Sequence, residues 1–348
     1  MTLIEQLNIK HPIFLAPMAG VSTPELAAEV SNQGGLGSLG LGAHTVDAAR
    51  EQILRTQELT DFPFQTNFFC HETSPLDEVA AQAWISYFEP IFERYGATAP
   101  SQLNCIYPSF KDHDGYLDLV LETKPQAVSF HFGIPHAHQI QALKDAGIIT
   151  MVSATNLAEA QAIEAAGIDI IIAQGIEAGG HRGIFNQSFD SAIKTSDLVQ
   201  LIREHCTLPV VAAGGIMNGQ QAQLMLKLGA SAVQMGTAFV QCKSSNANPA
   251  YRQALFQQNI TQITDSISGR PARGLINHWH TQIDTPDRLT VPTYPYTYDL
   301  AKQLHAAAVT QGEQGYAAFW AGSNVSQIRE LEAADLINQL VLEMIHAR

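Results

Sequence analysis

Two histidines stand where an apolar run of the sequence meets glycine. Residues 173–183 are AQGIEAGGHRG, so His181 directly follows Gly179 and Gly180, and His131 lies in the phrase HFG at the end of another apolar run. An imidazole in such a place can accept a proton from a carbon acid or donate a hydrogen bond to an anion near neutral pH. We expect His181 to be functional, whereas His131 taken alone could equally be a core histidine with a satisfied hydrogen bond.

A second set of candidate residues lies in the C-terminal part of the chain. Tyr294, Tyr298 and Lys302 are spaced four residues apart. That spacing places Tyr298 and Lys302 on one face of a helix, because residues four apart are neighbours on a helical surface. Pro295 could leave Tyr294 just outside the first turn. A tyrosine-rich segment is more often packing than chemistry, so this set needs support from other observations.

The balance of charge argues against a nucleic-acid partner. The 348 residues contain 19 Lys and Arg against 33 Asp and Glu, a net charge of −14 at pH 7, with no clustered basic segment. Binding to nucleic acid requires a basic face that this sequence lacks. A site for a small anion would need local positive charge, which Lys302, or His131 and His181 if protonated, could supply.

Eight short apolar runs are the elements that must position these residues. They are rich in Val and Ile and apolar on both faces, which is typical of parallel strands, and amphipathic segments lie between most of them. Strands alternating with helices in this number predict an α/β fold, a closed (β/α)8 TIM barrel. The predicted strands are Ile13–Ala19, Leu36–Leu41, Phe64–Phe69, Ala127–Phe132, Ile148–Ser153, Ile168–Ala173, Pro209–Ala213 and Ala232–Val240.

The alternation stops near Asn248, and helical patterns take over. We therefore predict a barrel over residues 1–247 and a mainly helical extension over residues 248–348 that contributes active-site residues. The extension contains the Pro- and Tyr-rich segment VPTYPYTYDL, and no low-complexity linker separates it from the barrel.

Glycines follow the last two predicted strands at the working face of such a barrel, which is the C-terminal end of its strands. Gly214 and Gly215 follow the seventh strand, and Gly236 with Thr237 lies in the eighth. Glycine lets backbone N–H groups approach phosphate oxygens. Either pair alone could simply form a tight turn, but their coincidence at loops seven and eight favours a phosphate site.

The cysteines and the apolar segments indicate a cytoplasmic protein without a membrane partner. Four scattered cysteines form no CxxC pair and no zinc spacing, so we expect reduced thiols and no metal site. The first residues lack the apolar core of a signal peptide, and no apolar stretch is long enough to span a bilayer. The sequence leaves open whether two copies form a homodimer.

The phrases APMAGVSTPELAAEVSNQGGLGSLG, AQGIEAGGHRG, PVVAAGGI and VQMGTAFV, in this order, resemble the nitronate monooxygenase family, formerly called 2-nitropropane dioxygenases. The resemblance covers residues 12–240 and continues through GRPARGL at 269–275. A single phrase would be shared with other flavin barrels, whereas the ordered set is specific.

The resemblance implies non-covalently bound FMN and the oxidation of alkyl nitronates, such as propionate 3-nitronate, with O2 to a carbonyl product and nitrite. It also implies one-electron transfer from the nitronate to FMN before the reaction with O2. With the glycine pattern, the expected FMN-binding residues are Pro17, Met18, Asn67, Gln174, Gly179, Gly214, Gly215, Gln234, Met235, Gly236 and Thr237.

In the subgroup with a histidine-bearing GGH motif, the resemblance further implies an active site with two histidines, a tyrosine before a proline, and a Tyr-x-x-x-Tyr-x-x-x-Lys series. The matching residues are His181, His131, Tyr107, Tyr294, Tyr298 and Lys302. His181 would be the base for a neutral nitroalkane, whereas a nitronate is already deprotonated. We expect Arg182 to point away from the ring or to pair locally.

Two alternatives stay open. The same barrel could support NAD(P)H-dependent flavin reduction of quinones or enoyl thioesters. The chain could also be a phosphate-binding barrel without flavin, either non-catalytic or an isomerase. Neither alternative explains the HFG, GGH and Tyr/Lys set.

Overall fold

Each of the eight apolar runs forms a strand of one parallel sheet. The structure, a computed structural model, describes residues 2–348. Neighbouring strands pair in parallel in chain order, the eighth pairs with the first, and a bridge from Phe14 to Leu36 joins the first to the second. The predicted (β/α)8 barrel is therefore confirmed. The strands are β1 Ile13–Leu15, β2 Gly37–Gly40, β3 Phe64–Phe69, β4 Ala127–His131, β5 Ile149–Ala154, β6 Ile170–Gln174, β7 Val210–Ala213 and β8 Ala232–Met235.

The first and last barrel strands are shorter than the sequence predicts. β1 ends at Leu15, and Pro17, which has no N–H for a ladder, follows in a loop. β8 ends at Met235, after which the chain turns into a 3-10 helix at Thr237–Phe239. Residues 16–19 are half-buried to exposed at the barrel mouth, whereas Phe239 and Val240 pack into hydrophobic clusters without joining the sheet.

Helices surround the barrel, and several of them begin at side-chain N-caps. For example, Asn156 and Asn218 accept the backbone N–H groups of Glu159 and Gln221. The α-helices are α1 Leu3–Leu7, α2 Pro24–Asn32, α3 Val46–Leu59, α4 Glu78–Arg94, α5 Asp114–Thr123, α6 Ala137–Asp145, α7 Leu157–Ala165, α8 Thr195–His205, α9 Gly219–Lys227, α10 Pro249–Gln257, α11 Tyr296–Thr310 and α12 Ala333–His346. Further 3-10 turns lie at Phe110–Asp112 and Val325–Gln327, and a π-helical turn at Trp279–Ile283.

A second hydrophobic core lies outside the barrel. α4, which is inserted between β3 and α5, packs against α11. Large apolar side chains from α4, α11 and the π-helical turn form this core, among them Trp84, Phe88, Trp279, Leu300 and Leu304. We call α4, α11 and the π-helical turn the cap. Within the cap, packing against α4 fixes α11, the helix that carries Tyr298 and Lys302.

The C-terminal region is not wholly helical. Thr261–Thr264 pairs antiparallel with Ala272–Leu275, which in turn pairs with Gly180–His181. This small sheet connects the C-terminal region to the loop after β6. The sequence pattern did not predict this small sheet.

The last helix belongs to the ring around the barrel. α12 packs against α9 and α2, the helices that flank the gap after β8. Its apolar face, including Leu336, Ile337 and Leu340, is part of the main barrel core. No helix of residues 2–348 combines the length and hydrophobicity needed to cross a membrane.

Candidate active site

The carboxyl ends of the barrel strands surround a cavity of about 390 Å³. It lies at the face where (β/α)8 barrels carry their active sites. All predicted site residues except Tyr294 line it. These lining residues are Pro17, Met18, Asn67, Tyr107, His131, Gln174, Gly179, His181, Gly214, Gly215, Gln234, Met235, Gly236, Thr237, Tyr298 and Lys302.

Backbone N–H groups are available at loops seven and eight. Gly214 and Gly215 adopt φ angles of +124° and +70°, which glycine tolerates best. Among the described residues, the N–H groups of Gly214, Gly215, Gly236 and Thr237 donate no hydrogen bond. Since unpaired N–H groups are rare in proteins, these four are suited to bind an anion that enters the cavity.

The peptide planes around the glycine pair are held by hydrogen bonds to their carbonyls. Gly175 N–H donates to the carbonyl of Ala213 at 2.9 Å, and the Thr195 hydroxyl donates to that of Gly214 at 3.0 Å. In a trans peptide the following N–H points away from the carbonyl, so the N–H groups of Gly214 and Gly215 are directed away from these donors. These hydrogen bonds therefore fix the direction of the N–H groups of Gly214 and Gly215, which with those of Gly236 and Thr237 we call the cradle.

A buried amide fixes the loop that carries His181. Gln174 Nε2 donates to the His181 carbonyl at 3.0 Å, and its Oε1 accepts from Gly183 N–H at 2.7 Å and Arg182 Nη1 at 3.0 Å. The Arg182 side chain is fully buried and pairs with Asp190 at 2.7 Å. The prediction that Arg182 pairs locally is confirmed. The small sheet holds the same loop from the other side, with Arg182 N–H donating to the Pro271 carbonyl at 2.8 Å.

The two histidines are neutral near pH 7. Burial lowers the pKa of His131 to about 4. Burial and the neighbouring His131 and Arg270 lower the pKa of His181 to about 3. Of the three alternatives for positive charge, His131 and His181 are therefore disfavoured, because burial and the nearby Arg270 oppose their protonated forms.

Lys302 is the predicted cation that remains. Its Nζ donates to the Tyr107 hydroxyl at 2.7 Å and lies 5.1 Å from the centre of that ring. Lys302 forms no ion pair with any described residue. Tyr298, one turn earlier on α11, has its ring 5.9 Å from that of His181. A cation without a carboxylate partner beside two phenols is suited to hold an anion.

Tyr294 lies behind the cavity wall. It precedes the first turn of α11, as the proline allows, and is 2% exposed. Its ring packs 5.7 Å from that of His181 and 5.3 Å from that of Phe132. Its hydroxyl has no hydrogen-bond partner among the described residues. This arrangement indicates packing support for His181.

Sequence reasoning missed three residues around His181. The ring of Trp320 lies 5.3 Å from that of His181 and lines the cavity, and the Tyr251 hydroxyl donates to the Trp320 carbonyl. Ser268 lies 2.8 Å from His181 Nε2. All three come from the C-terminal region, where no strand pattern marks which residues reach the barrel mouth.

The fold and the site together define a (β/α)8-barrel enzyme whose cavity combines unpaired backbone N–H groups with two imidazoles and a lysine. The family model for nitronate monooxygenase matches residues 1–343. The chain belongs to the nitronate monooxygenase family, which is a family of flavoenzymes. This finding confirms the resemblance seen in the sequence.

Relatives and solved structures agree with this assignment. A nitronate monooxygenase of Paraburkholderia phytofirmans is 50% identical, with 98% of this chain and 94% of that protein covered. One from Pseudomonas aeruginosa is 48% identical, with 97% of each chain covered. Nitroalkane oxidase from Streptomyces ansochromogenes superposes with a TM-score of 0.90 at 36% identity, covering 98% of this chain and 97% of that one. FabK from Thermotoga maritima is more distant, with a TM-score of 0.75 at 28% identity, covering 99% and 96%.

Proposed function

We propose that this chain binds FMN and oxidises alkyl nitronates, such as propionate 3-nitronate, with O2 to a carbonyl product and nitrite. The observation that carries the proposal is that one cavity joins a backbone anion cradle at loops seven and eight to His181 and Lys302. Family membership supports the same reaction.

The residues along the cavity fit FMN. The four free N–H groups of loops seven and eight would hold its phosphate, next to the short helix that follows β8. The backbone at Pro17 and Met18 would lie against the ring system, and the polar side chains of Asn67, Gln174 and Gln234 would face its edges. When bound, FMN supplies the capacity to accept electrons and to pass them to O2.

The side chains of the chain itself bind and orient the substrate. Lys302 provides the positive charge for a nitronate, with Tyr107 and Tyr298 as hydroxyl donors. The neutral imidazole of His181 accepts the α-proton when the substrate is a neutral nitroalkane, and His131 holds the loop of His181 from below. Trp320 and the aromatic side chains of Tyr107 and Tyr298 line this end of the cavity.

We extend the proposal to the organisation of the chain. Residues 1–247 form the FMN-binding barrel, and residues 248–348 supply Tyr294, Tyr298, Lys302 and Trp320. The last helix of that segment also completes the helical ring.

The test is the visible absorption spectrum of the purified protein, followed by anaerobic addition of propionate 3-nitronate or of NAD(P)H to separate samples. Flavin absorbance that bleaches with the nitronate and only slowly with NAD(P)H supports the proposal. Rapid bleaching by NAD(P)H alone would favour the flavin reductase alternative. A colourless protein that takes up no added FMN would favour a barrel without flavin.

A further inference from the structure

Ser268 meets His181 although it lies far along the chain. Its Oγ is 2.8 Å from Nε2 of His181, 3.1 Å from the Arg270 carbonyl and 3.3 Å from the Arg270 N–H. The Ser268 side chain is fully buried, so water does not compete for these contacts. It occurs in the turn that leads into Ala272–Leu275, the strand that pairs with His181.

The position of one hydroxyl hydrogen decides which nitrogen of His181 carries its proton. A serine has a single O–H to donate. Among the described residues, no other group donates to the Arg270 carbonyl. When Ser268 donates there, its oxygen accepts from Arg270 N–H and from Nε2–H of His181, and the Arg270 backbone groups, the Ser268 hydroxyl and Nε2 are all paired. The opposite arrangement would leave the Arg270 carbonyl unpaired.

His131 also contacts the loop of His181, but its two ring nitrogens are hydrogen-bonded differently from those of His181. Its Nε2 lies 3.1 Å from the His181 carbonyl, which can only accept, so this nitrogen carries the proton. Its Nδ1 lies 3.0 Å from the Ser153 hydroxyl, which then donates. Both nitrogens of His131 are therefore engaged. In His181 only Nε2 is engaged, and Nδ1 hydrogen-bonds to no described residue while the ring lines the cavity.

We propose that Ser268 is a positioning residue that fixes His181 as the Nε2–H tautomer, so that the lone pair of Nδ1 is the proton acceptor for the α-carbon of a neutral nitroalkane. This inference rests on the proposed function. The α C–H bond breaks, its electron pair forms the C=N bond of the nitronate, the π pair of one N=O bond moves onto its oxygen, and the proton moves to Nδ1. Ser268 still accepts from Nε2–H in the resulting imidazolium. No oxidant takes part in this step.

Arg270 complements Ser268 from the same turn. Its guanidinium carbon lies 4.3 Å from the centre of the Phe132 ring, whose centre is 5.7 Å from that of His181. The guanidinium therefore lies at most about 10 Å from the imidazole. A fixed positive charge at this range disfavours the imidazolium, so it favours the neutral form of His181 in which Nδ1 can accept a proton. The turn thus both orients the base and keeps it neutral before the proton transfer.

The first test measures the tautomer in the flavin-loaded wild-type protein labelled with 15N-histidine, using two-bond 1H–15N correlations. The His181 signals are identified by their loss in His181→Asn. We expect a protonated Nε2 and an unprotonated Nδ1. A protonated Nδ1 in wild type would overturn the proposal, and this outcome needs no Ser268 variant to fold.

The second test compares Ser268→Ala with Ser266→Ala, which removes a buried hydroxyl from the same segment. Ser266 contacts Arg288 at 2.7 Å and Asp284 rather than a histidine. We expect Ser268→Ala to mix the tautomers and to lower kcat/KM for a neutral nitroalkane about tenfold, with nitronate turnover changed less than twofold. Ser268→Thr, which keeps the hydroxyl, should restore most of the loss, and Ser266→Ala should change neither substrate.

Equal losses on both substrates in Ser268→Ala would show a merely structural role and overturn the proposal. Failure of the proposed function has a different signature, because the wild-type protein would then turn over neither substrate while the NMR spectrum still reported the His181 tautomer.

Discussion

The two ends of the cavity are built by different means. At loops seven and eight the barrel presents backbone N–H groups on glycines, held by hydrogen bonds to their carbonyls. Beneath the cap, the cavity is lined instead by side chains from distant segments, including Tyr107, Tyr298, Lys302 and Trp320. Backbone N–H groups suit a cofactor phosphate that is present in every turnover. The side chains at the other end of the cavity would instead determine which substrate reacts. Changes at the first end should affect all substrates equally, and changes at the second should separate them.

His181→Asn should have the largest effect and tests this distinction directly. Removal of a general base lowers turnover about 10²- to 10⁴-fold. We expect that loss for a neutral nitroalkane and a much smaller one for the corresponding nitronate, with flavin content unchanged. Steady-state kcat/KM for both substrates on one preparation measures it. Equal losses on both would remove the assignment of His181 as a base.

Gly215→Val should weaken flavin binding at least tenfold. A non-glycine residue at φ +70° costs about 1–2 kcal/mol, and the new Cβ would lie 2.8 Å from that of Glu177. Fluorescence titration of the apoprotein with FMN measures the affinity, and turnover of both substrates should fall by one factor at limiting FMN. Gly312→Val is the control, since Gly312 has φ +78° with no neighbour within 4 Å of its Cβ position. Equal flavin affinity in the two variants would contradict the proposal that the N–H groups of loops seven and eight bind the FMN phosphate.

Lys302→Met should lower kcat/KM for a nitronate about fivefold, or roughly 1 kcal/mol, because the lysine is exposed and its charge is partly screened. Flavin binding should not change, and added salt should weaken wild type more than the variant. Lys243→Met makes the same change in net charge at a surface lysine that pairs with Glu332. A similar loss in that control would point to the overall field of the protein rather than to Lys302.

The smallest expected effects on turnover come from comparing Tyr107→Phe with Tyr294→Phe. The first removes the hydroxyl that accepts from Lys302, which is worth roughly 0.5–1.5 kcal/mol, so nitronate turnover should fall about threefold. The second removes a hydroxyl without a partner among the described residues, and turnover should change less than twofold. A larger loss in Tyr294→Phe would require a direct role in chemistry for a side chain that does not line the cavity.

The contrast between the barrel and the region beneath the cap also explains which features the sequence could predict. The eight strands are apolar on both faces and interrupted by helices, so their number, order and closure follow from the pattern. The glycine pairs are recognisable because their place after strands seven and eight has a physical meaning. The first and last strands were predicted too long, because apolar residues that line a cavity or pack outside the sheet have the same composition as strand residues.

The region beneath the cap was harder to predict. Ala272–Leu275 is only four residues long and lacks an alternating pattern, so its pairing with His181 leaves no mark in the sequence. Resemblance to the family supplied Tyr107 and Lys302, whereas spacing alone did not. The sequence left open which of Lys302, His131 and His181 carries positive charge, because the burial of the histidines and the nearness of Arg270 depend on the folded structure. Ser268 and Trp320 are visible only in three dimensions.

The placement of α12 between α9 and α2 has a consequence for how this chain can vary. Because the eighth helix of the ring is the last helix of the chain, everything between β8 and α12 is in effect one very long connecting loop. A barrel that returned directly from β8 to α12 would still close. This segment is nevertheless tied to loops seven and eight, since Asn324 Nδ2 donates to the Gly215 carbonyl at 2.6 Å and Gly322 N–H donates to the Thr237 hydroxyl at 3.0 Å. The substrate-selecting part of the molecule can therefore be lengthened or exchanged only if these two contacts are kept.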